Sequence, residues 1–159
     1  YMDLDSPHDV KVPWELSRCH HFATLGKAYW YTGDERYAQE FVNEVLGWLA
    51  DNPPLLGVNW ASPMDAAIRV VSWLWGNYYF LDSPTLPDSF RIELYRSLLV
   101  HGRHIRRNLE RSEDYAGNHY LADLVGLCYL GILCPEFSEA EEWREFGLRE
   151  LWGQLLLES

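Results

Sequence analysis

Apolar residues recur along this chain at intervals of three and four, and almost nowhere at intervals of two, so the pattern predicts helices and no sheet. Residues 14–31 read as a first helix, with Cys19, Phe22, Ala23, Gly26, Tyr29 and Trp30 on one face. "TGDERY" interrupts it, with Thr32 or Asp34 as a natural cap for a second helix over 35–50. That helix turns Ala38, Phe41, Val42, Val45 and Leu49 inward. "DNPPLLGVNWASP" is a loop, because three prolines and a glycine deny it a regular ladder. Residues 64–81 and 118–133 are apolar nearly all round, as expected of inner helices covered on several sides. Residues 88–110 and 139–157 are amphipathic. Phe90, Leu94, Leu98, His101, Ile105 and Leu109 mark the inner face of the former, and Trp143, Leu148, Leu151, Trp152 and Leu155 that of the latter.

About six helices joined by short loops favour antiparallel neighbours. The alternation of amphipathic with all-apolar helices suits two concentric layers. An all-α helical-hairpin solenoid or an (α/α) toroid both satisfy it. No strict repeat of tetratricopeptide length is present.

Composition narrows the function classes. A net charge of −11 disfavours nucleic acid and anionic membrane surfaces as partners. One strip runs against that charge: "HGRHIRRNLER", residues 101–111, holds four Arg, two His and one Glu. It is either a solvated helix face or a surface for an anionic ligand. Aromatic residues reach 15%, including eight Trp, which fill a core or stack on flat rings such as sugars. Cys19, Cys128 and Cys134 have no metal-binding or disulfide spacing, and the last two read as buried thiols. The most apolar run, 120–133, is too short to span a bilayer, so no membrane insertion is expected. No signal peptide is visible, and both ends look cut from something longer.

The motifs for nucleotide, zinc-protease and serine-hydrolase chemistry are absent. His101 and His104 could share a face but have no third partner, so no metal and no cofactor are expected. The loop residues Asn59 and Trp60 set an amide beside an indole, a pairing suited to gripping a hydroxylated ring. Trp60 is equally suited to plugging the core. Arg69, in an apolar helix, needs either a carboxylate partner or an anionic ligand in a cleft. Asn118 and His119 open the fifth helix. Asn118 is a good cap there, yet the same position places an amide, a helix dipole and a proton-exchanging imidazole where a carboxylate would be held.

Three segments, "VPWELSRCHHFATLGKAYWYTGDERYA", "NPPLLGVNWASPMDAAIRVVSWLW" and "HIRRNLERSEDYAGNHYLADLVGLCYLG", resemble the helical N-terminal region of the heparinase II/III and related alginate lyases. The similarity runs from about Trp14 to Gln154 and is most specific in W-E-x-x-R, in G-x-N-W-x-S-x-M-x-x-A-x-R and in the N-H pair. It implies an (α/α) toroid, here incomplete and covering residues 1–159, normally followed by a β-sandwich region. It also implies β-elimination on an acidic, uronate-containing polysaccharide, heparan-like or alginate-like. By the family pattern Asn118 neutralises the uronate carboxylate and His119 assists proton abstraction. Asn59, Trp60 and Arg69 become candidates for substrate binding, and Asp123, one turn after His119, for orienting that His. The family's catalytic Tyr, in a YH-type motif, and a further His from the β-sandwich are not among these residues. The chain is therefore expected to carry half an active site, to bind polysaccharide weakly and to be inactive alone. Its parent is expected to be periplasmic or secreted and bacterial, with this domain packed on the β-sandwich. Two other readings stay open: a noncatalytic glycan- or protein-binding domain of envelope or capsule polysaccharide metabolism, and a plain helical scaffold with Asn118 and His119 buried or scattered.

Overall fold

The computed structural model describes residues 10–111 and 117–157, with the side chains of Leu155 and Leu157 outside that description. Every regular element among them is helical: α1 (Lys11–Ser17), α2 (Phe22–Thr32), α3 (Arg36–Asp51), a single 3-10 turn (Val58–Trp60), α4 (Pro63–Tyr79), α5 (Asp88–Arg107), α6 (Asn118–Leu133) and α7 (Ala140–Leu157). None of these helices is long and apolar enough to cross a membrane.

Six of them pair as antiparallel hairpins, α2 with α3, α4 with α5 and α6 with α7. The first members stand side by side, α4 between α2 and α6, and the second members back them. This is the two-layered, incomplete toroid expected from the alternation of apolar and amphipathic segments. The core runs between the layers. Phe22, Phe41, Phe80 and Phe90 form one aromatic cluster through edge and stacked contacts, with Phe41 touching the other three. Trp73 and Trp143 are buried further along.

Glycine sets the closest approaches. A methyl group on Gly126 would stand 2.8 Å from Cβ and 3.0 Å from Cα of Ala67, so α6 lies almost backbone to backbone on α4. One on Gly131 would stand 2.5 Å from the Ala140 carbonyl oxygen and 2.6 Å from the Arg144 nitrogen, which locks α6 against α7.

The single helix expected over 14–31 is two. The chain breaks at Arg18–His21, where Cys19 takes a left-handed backbone (φ 56°). A non-glycine residue pays a steric penalty there, and burial of its side chain in the core holds it in place. Three residues assigned to inner faces are exposed. Trp30 is 59% accessible, and Leu148 and Trp152 also face outward. Trp30 meets the rings of Tyr78 and Tyr79 edge to face and donates its indole N–H to the Tyr79 carbonyl at 2.8 Å. Leu155 falls outside the described side chains. The C-terminal halves of α4 and α6 enclose an apolar groove of about 400 Å³, lined by Leu74, Trp75, Tyr78, Tyr129, Ile132 and Leu133, at the end opposite the polar cluster described next.

Candidate functional site

The first turns of α4 and α6 and the residues just after α5 meet at one end of the bundle. Ser62 caps α4 by accepting the Asp65 N–H at 3.2 Å, with Pro63 following in the first turn where its missing donor is harmless. Glu110 adds a second acceptor: its Oε2 takes the Met64 N–H at 2.9 Å. Its Oε1 lies 3.1 Å from Nδ1 of His119, and its own N–H donates to Oδ2 of Asp123 at 2.8 Å. One carboxylate thus joins the start of α4 to the start of α6.

Asn118 is the first residue of α6. Gly117 holds the cap position in an extended conformation, and no side chain closes the cap. The expected capping role of Asn118 is therefore not filled. Its amide is exposed, at a helix end whose N–H groups attract negative charge. His119 beside it is half exposed. Asp123 does not hold His119 directly. It holds the main chain of Glu110, and Glu110 holds His119.

Asp123 is fully buried and its Oδ1 has no hydrogen-bond partner among the described residues. Burial pushes its pKa up to about 7, with the Glu110 charge acting in the same direction. The native chain then keeps a proton that the unfolded chain releases between about pH 4 and about pH 7. Stability falls as pH rises through that window and levels off above it, by an amount on the order of a few kcal/mol. Asp123→Asn mimics the protonated acid and still accepts the Glu110 N–H. Thermal melts should show the variant equal to wild type near pH 4 and more stable at pH 8. A variant less stable than wild type at pH 8 would contradict this account.

The other candidates gather around a buried cation two turns into α4. Arg69 is wholly inaccessible. It lies 4.2 Å over the Trp48 ring and donates to the Asn59 carbonyl at 3.0 Å, the Ser17 carbonyl at 3.5 Å and Nε2 of His101 at 3.0 Å. His101 accepts on Nε2 and so carries its proton on Nδ1, which donates to the Ser97 carbonyl at 2.7 Å. Burial, reinforced by the Arg69 charge, holds the His101 pKa well below 6.5, so the ring is neutral. Burial also lowers Arg69 to about 10, which leaves it charged at neutral pH.

Arg69 and Trp60, expected to face a cleft, are both buried among the described residues. No carboxylate pairs directly with Arg69 among the described residues. Aromatic faces, carbonyls and a neutral imidazole satisfy it instead. Trp60 is the core plug. Its ring sits 4.4 Å from that of His101, and its N–H reaches the Asn52 carbonyl at 3.3 Å. Asn59 is partly buried and gives its amide N–H to Asn52 at 2.7 Å. No hydrogen bond or ion pair among the described residues links this group to Asn118 or His119. The two groups share only the beginning of α4.

The three resemblance motifs interlock. Trp14 donates to the Val58 carbonyl at 2.8 Å, and Arg18 pairs with the buried Asp65 at 2.6 Å and with Glu15. The basic strip is largely neutralised by α7 and the residue before it: Arg103 pairs with Glu139, Arg106 with Glu142 and Arg111 with Glu150. Arg107 has no carboxylate partner among the described residues. Glu110 was missed from sequence, although it is the single acid in that strip and stands eight residues before Asn118.

A family model described as "Heparinase II/III N-terminus" matches residues 3–156. The chain is 29% identical to a heparin-sulfate lyase of Bacteroides stercoris and 30% identical to one of Pedobacter heparinus, over 88% and 90% of its own length. It spans less than a quarter of either relative, 23% and 22%. Among solved structures, a heparinase III gene product superimposes with a TM-score of 0.83 at 28% identity, covering 99% of this chain and 27% of that one. The heparan sulfate lyase of Pedobacter heparinus gives 0.78 at 27% identity, covering 92% and 23%.

Proposed function

The chain belongs to the heparinase II/III N-terminal family, and from that premise we propose that it is the helical, carboxylate-binding part of a lyase acting on heparin- or heparan-type polysaccharide. The observation that carries this reading is the exposed Asn118–His119 pair at the start of α6, with Glu110 behind the imidazole. The names of the relatives favour a heparan-type substrate over alginate.

In the proposed reaction a uronate carboxylate lies against the Asn118 amide and the first N–H groups of α6. The proton on C5 is weakly acidic while that carboxylate keeps its full charge. Hydrogen-bond donors that draw charge onto the carboxylate oxygens stabilise the enolate-like intermediate. The C5–H bond breaks and its proton goes to a base, with His119 assisting. The electron pair forms C4=C5 as the C4–O bond breaks. The leaving oxygen takes a proton from an acid that, by family resemblance, is a Tyr outside these 159 residues. The chain thus supplies one side of the site, and the whole reaction belongs to a longer polypeptide.

The test compares this chain with a longer polypeptide carrying it, on heparan sulfate, heparin and alginate, by the absorbance of newly formed unsaturated uronate. The longer polypeptide should generate that absorbance on a heparan-type polymer, and the chain alone should generate none. Absence of product from the longer polypeptide on both heparan sulfate and heparin would remove the lyase reading. Product from the chain alone would remove the half-site reading.

A further inference from the structure

We infer that Glu110 is a positioning residue for His119, fixing the imidazole in its Nδ1–H tautomer through a carboxylate that is itself anchored at the start of α4 and by Asp123. The inference rests on the proposed role of His119.

Three contacts carry it. Oε1 of Glu110 lies 3.1 Å from Nδ1 of His119, so the carboxylate can accept only if that nitrogen bears the proton. This leaves Nε2 as the free acceptor on a half-exposed ring, with no protein partner among the described residues. Oε2 takes the Met64 N–H at 2.9 Å, which stops the carboxylate from rotating away. The Glu110 main chain is held in turn, because its N–H donates at 2.8 Å to Asp123, a fully buried residue with no freedom to follow solvent. Asp123 lies one turn from His119 on the same helix. The chain therefore closes on itself: α6 holds Glu110, and Glu110 holds the imidazole of α6. A carboxylate behind an imidazole selects its tautomer and orients its outer nitrogen, and hydrogen-bonding the carboxylate in turn is what makes such a pair rigid. Ser62 already caps α4 through its side chain. Glu110 takes the neighbouring Met64 N–H with one oxygen only, so capping α4 leaves its other oxygen for His119.

The experiment uses the longer polypeptide carrying this chain, labelled at histidine for nitrogen NMR, with Glu110→Met and Glu110→Gln. Met keeps the volume and removes both acceptors, whereas Gln keeps one: its amide oxygen accepts from Nδ1–H only with the NH2 turned toward the Met64 N–H. In wild type His119 should be predominantly the Nδ1–H tautomer. In Glu110→Met that preference should vanish, with kcat down roughly 10-fold or more and KM little changed. Glu110→Gln, with one acceptor for two donors, should fall between wild type and Glu110→Met in both. An Nδ1–H tautomer that survives Glu110→Met overturns the inference. So does equal impairment of the Met and Gln variants, which would mark Glu110 as only a structural tie. Should the Met variant fail to fold, Glu110→Asp, which draws the acceptor back by one methylene, gives the same tautomer comparison. The NMR measurement does not depend on turnover. If His119→Ala left activity intact, the catalytic reading of His119 would fail while the tautomer still decided the role of Glu110.

Discussion

Asn118→Ala, made in the longer polypeptide, is expected to lower kcat on heparan-type polymer by about 100-fold to 1,000-fold, the usual loss when one preorganised donor to a developing negative charge is removed. The same substitution should leave the melting profile almost unchanged, within about 0.5 kcal/mol. This second expectation follows from the observed cap. Gly117, not Asn118, occupies it, and no side-chain bond closes it, so truncation breaks no helix-start hydrogen bond. Had Asn118 been the capping acceptor, its loss would have destabilised α6 by about 1 kcal/mol, and reduced activity could have reflected reduced folding. Here the two readouts separate. Steady-state kinetics and a thermal melt on one preparation decide the matter, and wild-type turnover in Asn118→Ala would remove this residue from the mechanism.

The largest effect on stability is expected at Gly131. Its neighbours across the hairpin are backbone atoms of α7, the Ala140 carbonyl and the Arg144 nitrogen, and backbone has no rotamer with which to yield. Gly131→Val must push α7 bodily away from α6. Overpacking of this kind costs about 3 kcal/mol or more where no side chain can move. Gly47 offers the control, because nothing lies within 4 Å of a methyl group placed on it. Gly47→Ala should gain up to about 1 kcal/mol through helix propensity. Chemical denaturation of the two variants and wild type tests both signs, and a Gly131→Val protein as stable as wild type would show that the helices are less closely apposed than described.

Helix periodicity was legible because the two layers impose it. α3 and α5 each bury a single stripe, and Ala38, Phe41, Val42 and Val45 in one and Phe90, Leu94, Leu98, His101 and Ile105 in the other are all buried as their spacing demands. The break at Cys19 was not legible, since nothing in "LSRCHH" signals a left-handed residue. Tertiary burial imposes that conformation, and local propensity would have continued the helix. Trp30 and Trp152 were misplaced for a related reason: hydrophobicity says that a side chain prefers cover, not that cover is within reach. In the candidate site, Asn118 and His119 were legible through their motif. Their support was not. Glu110 lies on the far side of the α5–α6 connection from His119, and the pairing is created by the fold. The same holds for Arg69, whose partners come from α1, α3, the loop before α4 and α5. A sequence shows that a buried cation needs company without showing that the company will be aromatic rings and carbonyls.

The docking of α1 bears on how this domain opens. Seven residues are too few to hold a helix alone in water. The segment persists through contacts that span some forty to fifty positions of chain: the Trp14 indole on the Val58 carbonyl, Arg18 on Asp65, and the Ser17 carbonyl on Arg69. Such distant closures carry a loop-entropy penalty and form after the hairpins have collapsed. α1 is accordingly the last piece to settle and the first to detach. Its release would admit water to the guanidinium that the rest of the structure keeps dry. In native-state hydrogen exchange, the amides of residues 14–19 report this sub-global opening apart from unfolding of the layers behind them.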